Sequence, residues 1–286
     1  MQGDVQVVCN MNWIAEFFGY ADNTRPIEGF MSWQHLTFVG CLLAVMTALA
    51  VFLGLRNKNA DDKKKNTVLI WSAILIDAFE IAKIIIVCTR EADPMRWLYD
   101  LPLFLCSIQL ITIPLAAFSK GRIKEAAMDF VLIFGILGAV MGTIGAGNIY
   151  KSNPVLSFDT VVSGITHSIS GFTSLYIGFS GMTEFKRRNM PITFGVLGFF
   201  AIAAAIANYT IDYNYMFLRK GDGTPYDIFY NLVDGDPLVY PMIVIGLFVV
   251  YIVACYEVWG LIARSKQRKA ALVAACEEAS AEASHV

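Results

Sequence analysis

Seven stretches of this sequence are long and apolar enough to cross a lipid bilayer as α-helices. A membrane-spanning helix needs about 20 consecutive, mostly apolar residues. With 56% hydrophobic and only 16% charged residues, the chain lacks the charge that a soluble domain of this length carries. We therefore predict an all-α, polytopic membrane protein. The predicted spans are approximately residues 35–55, 67–88, 97–118, 126–147, 158–181, 191–211 and 238–263.

The basic residues predict how these seven spans are oriented. The connections on one side, together with the C-terminal end, carry 15 lysines and arginines, and those on the other side carry six. Because cytoplasmic loops are enriched in these residues, we expect the N-terminus outside and the C-terminus in the cytoplasm. The chain then divides into an external segment (1–34), a transmembrane domain (35–263) and a cytoplasmic tail (264–286). A net charge of −2 offers no basic surface for nucleic acid.

Three ionisable side chains lie within the second predicted span. Asp77, Glu80 and Lys83 are each three residues apart, which places them on one flank of a helix, and Glu80 and Lys83 are spaced to form an ion pair. Ionisable residues are costly inside a membrane and commonly mark a functional site. Two interpretations stay open: a neutralised pair that holds the helices together, or part of a catalytic or transport site.

The third and fifth predicted spans carry a thiol and an imidazole at a similar depth. His167 is flanked by Gly164 and Gly171, and small residues of this kind let neighbouring helices approach closely. Counted from the predicted outer ends, Cys106, His167 and Glu80 lie about eight or nine residues deep, or roughly 12–14 Å. Each of them alone also fits a structural role. Together they meet the depth requirement for a nucleophile, a base and an orienting acid.

Polar side chains also cluster at the predicted outer ends of the first and sixth spans. His35 opens the first span, while Asn208, Asn214 and Tyr215 lie at or after the end of the sixth. Such residues are typical of the belt at a membrane surface, and they equally suit the binding of a lipid headgroup. Gln109 and Asn208 are the amides that we expect to donate a hydrogen bond to an oxyanion.

Four motifs, taken in order, resemble the YwaF-like bacterial integral membrane proteins, which are related to the eukaryotic transmembrane protein 164 acyltransferase family. They are Trp-Gln-His-Leu at 33–36, Leu-Pro-Leu-Phe-Leu-Cys at 101–106, His167, and Asn-Tyr-Met-Phe-Leu at 214–218 followed by Pro225. The resemblance covers about residues 30–260. The chain departs from the family pattern at Phe104, where many members carry a histidine.

This resemblance implies a seven-helix bundle in which Cys106 is the nucleophile and His167 is its base. In the eukaryotic relative, the cysteine takes an acyl chain from a phospholipid and passes it to a lysophospholipid. We therefore expect a cysteine thioester, phospholipid and lysophospholipid as partners, and no metal or cofactor. Glu80 is expected to orient the histidine or to pair with a cation. The resemblance also implies a multi-pass protein of a bacterial plasma membrane.

Two other kinds of function stay open. The main alternative is a proton-coupled small-solute transporter that uses Asp77, Glu80, Lys83 and His167, and the second is a purely structural membrane protein. The two halves of the sequence show no repeat of the kind that many transporters have. A retinal photoreceptor is excluded because residues 238–263 contain no lysine for a Schiff base. The six cysteines show neither a CxxC motif nor a metal-ligand spacing.

Overall fold

The computed structural model describes residues 13–22, 25–183 and 185–284, and within these residues its regular structure is entirely helical. The seven longer helices of this part of the chain are α1 (Trp33–Asn57), α2 (Asp62–Arg90), α3 (Gln109–Phe118), α4 (Gly121–Thr143), α5 (Phe158–Ser180), α6 (Met190–Thr210) and α7 (Val239–Ser284). Two six-residue helices, Gly147–Ser152 and Asp227–Leu232, lie between them. Short 3-10 turns form at Arg96–Tyr99, Arg187–Asn189 and Tyr215–Phe217.

Four of the described helical segments have both the length and the apolar composition to cross a membrane. They are Trp33–Asn57, Gly121–Ser152, Arg187–Thr210 and Val239–Ser265, which correspond to α1, α4, α6 and α7. Helices α2 and α5 are long as well, at 29 and 23 residues. They are less apolar, because α2 contains charged residues and α5 is rich in serine and threonine. The all-α prediction is confirmed, whereas seven spans and an external N-terminus stay predictions.

The third predicted span, 97–118, is wrong as one continuous helix. A 3-10 turn occupies Arg96–Tyr99, irregular chain and turns follow up to Ile108, and α3 has only 10 residues. At 1.5 Å per residue α3 is about 15 Å long, roughly half of a bilayer's hydrocarbon core. Pro102 contributes to the start of this break, because proline supplies no backbone N–H and disfavours helical geometry at the preceding residue.

Local capping explains where several of the helices begin. The Ser32 side chain accepts a hydrogen bond from the backbone of His35 at the start of α1, and Asp61 accepts one from Lys64 at the start of α2. Side-chain oxygens in these positions satisfy N–H groups that have no partner within the helix. At the start of α7, the Asp236 carboxylate accepts two backbone N–H groups in the same way.

Helices α4 and α5 form the most extensive contact between described elements, followed by α1 against α5. Small residues make this close approach possible. A Cβ placed on Gly135 of α4 would lie 2.7 Å from the Cβ of Ser174, and one on Gly171 of α5 would lie 2.6 Å from that of Ala139. The close contact between these two helices sets the position of α5, which carries His167.

The outer surface of the bundle is apolar, as expected for helices that face lipid. Exposed large side chains include Val45, Leu49 and Phe52 on α1, Phe199, Ile202 and Ile206 on α6, and Met242 and Val250 on α7. The α7 helix continues through most of the predicted tail, 264–286, and ends at Ser284. Residues 1–12 of the predicted external segment and the last two residues of the tail lie outside the described residues.

A buried carboxylate that the sequence analysis did not identify joins α4 to α7. Asp129 of α4 accepts hydrogen bonds from Thr183, Asn189 and Tyr256 at 2.6, 3.1 and 2.9 Å. Buried polar groups are tolerated when they are fully hydrogen-bonded. Asp129 therefore has a structural role, linking α4, the chain between α5 and α6, and α7.

Candidate active site

The thiol of Cys106 and the imidazole of His167 lie close enough for the two side chains to interact. Cys106 lies in the turn that precedes α3, and His167 lies in the middle of α5. Both residues are half-buried, so the pair is shielded from bulk water without being sealed inside the protein. A thiol in contact with an imidazole is the arrangement in which a base can generate a thiolate nucleophile.

The other nitrogen of His167 is held by its own helix. Nδ1 lies 2.7 Å from the backbone carbonyl of Ser163 and 3.4 Å from the Ser163 hydroxyl. Because a carbonyl oxygen only accepts, this hydrogen bond assigns the ring proton to Nδ1. Nε2 then carries the lone pair and is the nitrogen available to the thiol, which is the tautomer that a base requires.

The break in the third span places Cys106 in the turn immediately before α3. The Ile108 N–H donates to the Phe104 carbonyl at 2.9 Å, while the Ser107 hydroxyl accepts from the Phe104 N–H at 3.0 Å. Among the described residues, the backbone N–H groups of Cys106 and Ser107 make no backbone hydrogen bond. Free N–H groups and the helix dipole at such a position favour a negative charge.

Two glycines of α4 lie directly against the thiol and the imidazole. A Cβ on Gly138 would lie 3.2 Å from the Cβ of Cys106, and a Cβ on Gly142 would lie 1.9 Å from Cδ2 and 2.1 Å from Nε2 of His167. The sequence analysis predicted neither residue as part of the site. Their spacing of four residues puts them on one face of α4, and that face lies against the site.

We expect Gly142→Ala to separate the two reactive groups, because the new methyl group would occupy the position of the imidazole edge. Overpacking of this kind costs about 1–3 kcal/mol, and we expect the alkylation of Cys106 by iodoacetamide to slow about tenfold as the thiolate loses its base. Peptide-resolved mass spectrometry measures that rate at Cys106.

The matched control is Gly195→Ala on α6, where an added Cβ would meet no atom within 4 Å. This variant is expected to leave the alkylation rate unchanged and to be as stable as the parent or slightly more stable. Equal alkylation rates for the two variants would contradict the placement of His167 against Gly142.

Gln109 is the predicted oxyanion donor that has a free amide group. Its side chain is fully buried, and its Oε1 accepts a hydrogen bond from the Thr112 hydroxyl at 3.2 Å. Its Nε2 has no hydrogen-bond partner among the described residues. A buried donor without a partner is costly, and it is therefore a group that a bound ligand would satisfy.

Glu80 bonds to Lys83 rather than to His167. Lys83 in turn lies 3.1 Å from the Asp100 carboxylate, which also receives Arg96 at 3.3 Å. This chain of ion pairs fastens α2 to the residues immediately before the Cys106 turn. The role of orienting group, which the sequence analysis gave to Glu80, is performed at Nδ1 by the Ser163 carbonyl. The Glu80–Lys83 pair predicted from their spacing is present.

Asn208 and Tyr215 brace the chain that leads to Cys106. Both amide atoms of Asn208 bond to the backbone of Tyr215, which fixes this side chain and leaves one amide N–H for another acceptor. The Tyr215 hydroxyl accepts from the Leu101 N–H at 3.1 Å and donates to the Leu98 carbonyl. Burial raises the pKa of Tyr215 to about 12, so the hydroxyl keeps its proton and both bonds at neutral pH.

The two remaining predicted residues stabilise neighbouring segments. His35 is fully buried, with Nδ1 accepting from the Met31 N–H at 3.1 Å and Nε2 lying 3.2 Å from the Thr143 carbonyl. Both of its ring nitrogens are therefore in use. Asn214 bonds to the backbone of Arg219 and Lys220 and shapes the loop that follows α6. Neither residue contacts the Cys106–His167 pair through a hydrogen bond.

Comparison with protein families gives one match that covers most of the chain. The model described as the TMEM164 family matches residues 30–262. No curated protein and no solved structure matches the sequence.

Proposed function

The chain belongs to the TMEM164 family and is a multi-pass membrane protein, and we propose that it transfers fatty acyl chains between phospholipids and lysophospholipids. In this proposal, Cys106 carries the acyl chain as a thioester between the two lipids. The observation that carries the proposal is the placement of the Cys106 thiol beside the His167 imidazole, with Gly138 and Gly142 on one face of α4 packed against the two residues. We place the reaction in a bacterial plasma membrane, following the resemblance to bacterial membrane proteins.

In the first half-reaction, Nε2 of His167 takes the thiol proton as the sulfur attacks an ester carbonyl of the donor phospholipid. The carbonyl π electrons move to oxygen and give a tetrahedral oxyanion. Collapse of this intermediate breaks the ester C–O bond, and the departing glycerol oxygen takes the proton from the His167 imidazolium. The products are a lysophospholipid and an acyl group bound to Cys106 as a thioester.

The second half-reaction reverses these roles. The hydroxyl of an acceptor lysophospholipid gives its proton to Nε2 as its oxygen attacks the thioester carbonyl. The C–S bond then breaks, and the leaving thiolate recovers a proton from His167. The acyl chain has moved between two lipids of similar ester energy, so the cycle consumes no nucleotide and needs no redox partner.

Three N–H donors support stabilisation of the oxyanion in both steps. The backbone N–H groups of Cys106 and Ser107 make no backbone hydrogen bond among the described residues, and the Gln109 amide is buried without a partner there. Preformed donors of this kind act most strongly where water is excluded. The half-buried position of the pair also suits an ester that enters sideways from the lipid phase.

The proposal is tested by steady-state kinetics on detergent-purified protein, with an isotopically labelled phosphatidylcholine as donor and a lysophospholipid as acceptor. A thioester mechanism predicts ping-pong kinetics, with parallel lines in double-reciprocal plots as the acceptor concentration is varied. Intersecting lines would show that both lipids must bind before reaction and would contradict a covalent intermediate. Proton-coupled uptake into proteoliposomes, with no labelled lysophospholipid formed, would favour the transporter alternative instead.

A further inference from the structure

A charged cleft opens beside the aromatic residues that pack on the Cys106 turn. Its volume is about 470 Å³, and its walls are formed by Asp212, Tyr213, Asn214, Arg219, Lys220, Asp222 and Tyr230. These residues belong to the loop after α6 and to the short helix Asp227–Leu232. The fold of this loop brings two cations and two carboxylates around one cavity.

The cations of this cleft keep free hydrogen-bond donors. The Arg219 guanidinium donates hydrogen bonds to described residues only from Nη1. Its Nε and Nη2 therefore have no hydrogen-bond partner among these residues. Lys220 pairs with Asp222 at 3.1 Å, and its side chain is 62% exposed. Two neighbouring cations with unused donors are suited to an anionic group such as a phosphate.

The cleft also carries a negative charge that is open to a ligand. The Asp212 side chain is 89% exposed and pairs with Arg219 through one of its oxygens. The hydrogen bond from Arg219 lowers the pKa of Asp212, so the carboxylate stays ionised at neutral pH. A ligand that combines a phosphate with an ammonium group would find a partner of opposite charge for each.

Packed aromatic rings connect the cleft to the segment of chain that carries the nucleophile. The Tyr213 ring, which lines the cleft, is 4.8 Å from the Tyr215 ring and 6.3 Å from the Phe104 ring, centroid to centroid. Phe104 is two residues before Cys106. In a glycerophospholipid, the phosphate and the nearest ester carbonyl are separated only by the glycerol backbone, which matches a charged site beside a reactive one.

We propose that this cleft binds the zwitterionic headgroup of the phospholipid substrate, with the phosphate on Arg219 and Lys220 and the ammonium group on Asp212. This inference rests on the proposed acyl transfer, whose substrate it specifies. The cleft then selects lipids that carry a phosphate and an amine over neutral diacylglycerols. The position of the bound headgroup fixes which ester of the lipid reaches Cys106.

Substrate comparison tests this assignment by kinetics. Lys220→Gln and Arg219→Lys are expected to raise the KM for phosphatidylcholine about fivefold to tenfold, the loss expected for one charge-assisted hydrogen bond, with kcat unchanged. Turnover of diacylglycerol should be the same in both variants and in the parent. The matched control is Lys151→Gln, an exposed lysine outside the cleft, which should leave every constant unchanged. An unchanged KM in the cleft variants would overturn the assignment.

A binding measurement separates this inference from the catalytic proposal. We expect glycerophosphocholine to bind the Cys106→Ala protein in calorimetry, and its Kd to rise about fivefold to tenfold when Lys220→Gln is added. This result does not depend on turnover. Inorganic phosphate, at the same concentration, should bind at least tenfold more weakly, and equal binding would reduce the cleft to a simple anion site and overturn the headgroup assignment. Failure of acyl transfer with glycerophosphocholine still bound would instead contradict the reaction alone.

Discussion

Replacement of Cys106 by alanine is expected to abolish acyl transfer, with a fall in kcat of about 10⁴-fold or more, because no other group can form the covalent intermediate. The change removes one sulfur from a half-buried position, so the helical fold should persist. The measurement is the formation of labelled phospholipid from labelled donor and lysophospholipid, normalised to folded protein by circular dichroism.

Two further variants make this result specific to the thiol as a nucleophile. Cys106→Ser keeps a nucleophilic atom of similar size, and we expect it to retain a trace of activity at most. Cys88→Ala removes another free, half-buried cysteine and should leave transfer unaffected. Transfer at the parental rate by the Cys106→Ala protein would contradict the account. Proton or solute movement that survives in this variant would favour the transporter.

Replacement of His167 by glutamine is expected to lower kcat by about 10²- to 10⁴-fold, the usual contribution of a general base. The amide can fill much of the imidazole space, yet it cannot accept and return a proton. A second readout is the reactivity of the thiol itself. At neutral pH, Cys106 should react with iodoacetamide about tenfold more slowly without its base, because the thiolate is the reacting form.

The control for this change is the other histidine of the helical bundle. His35→Gln removes the ring that accepts from the Met31 N–H and that bonds to the Thr143 carbonyl, and the second bond links the start of α1 to the end of α4. We therefore expect lower thermal stability but unchanged reactivity of Cys106. For His167→Ala, free imidazole should restore part of the acyl transfer by occupying the vacated space. A His167 variant with normal alkylation and normal transfer would refute its role as the base.

The sequence predicts the architecture well wherever a single local property decides it. Runs of apolar residues identify α1, α4, α6 and α7, whose length and composition suit a membrane. The third span departs from the prediction because its apolar composition continues through a stretch where Pro102 interrupts the backbone. Hydropathy does not detect such a break, because the side chains stay apolar while the hydrogen bonds of the helix are lost.

The candidate site was predicted from the depth of its residues in the membrane. Depth alone could not show which of these side chains interact with each other. It placed Cys106, His167 and Glu80 at one level, and the structure brings the first two close together. Glu80 is captured by Lys83, three residues away on the same helix, which is the nearest opposite charge. The group that orients His167 is the carbonyl of Ser163, and a backbone atom leaves no signature in the residue types.

Intact-protein mass spectrometry tests the central claim most directly. Purified protein is mixed with phosphatidylcholine without an acceptor, quenched in acid at a series of times, and compared with the Cys106→Ala variant. We predict a mass increase equal to one acyl chain on the parent protein alone, removed by neutral hydroxylamine, which cleaves thioesters. Acyl transfer that proceeds with no adduct on Cys106 at any quench time, or an equal adduct on the Cys106→Ala variant, would contradict catalysis by this thiol.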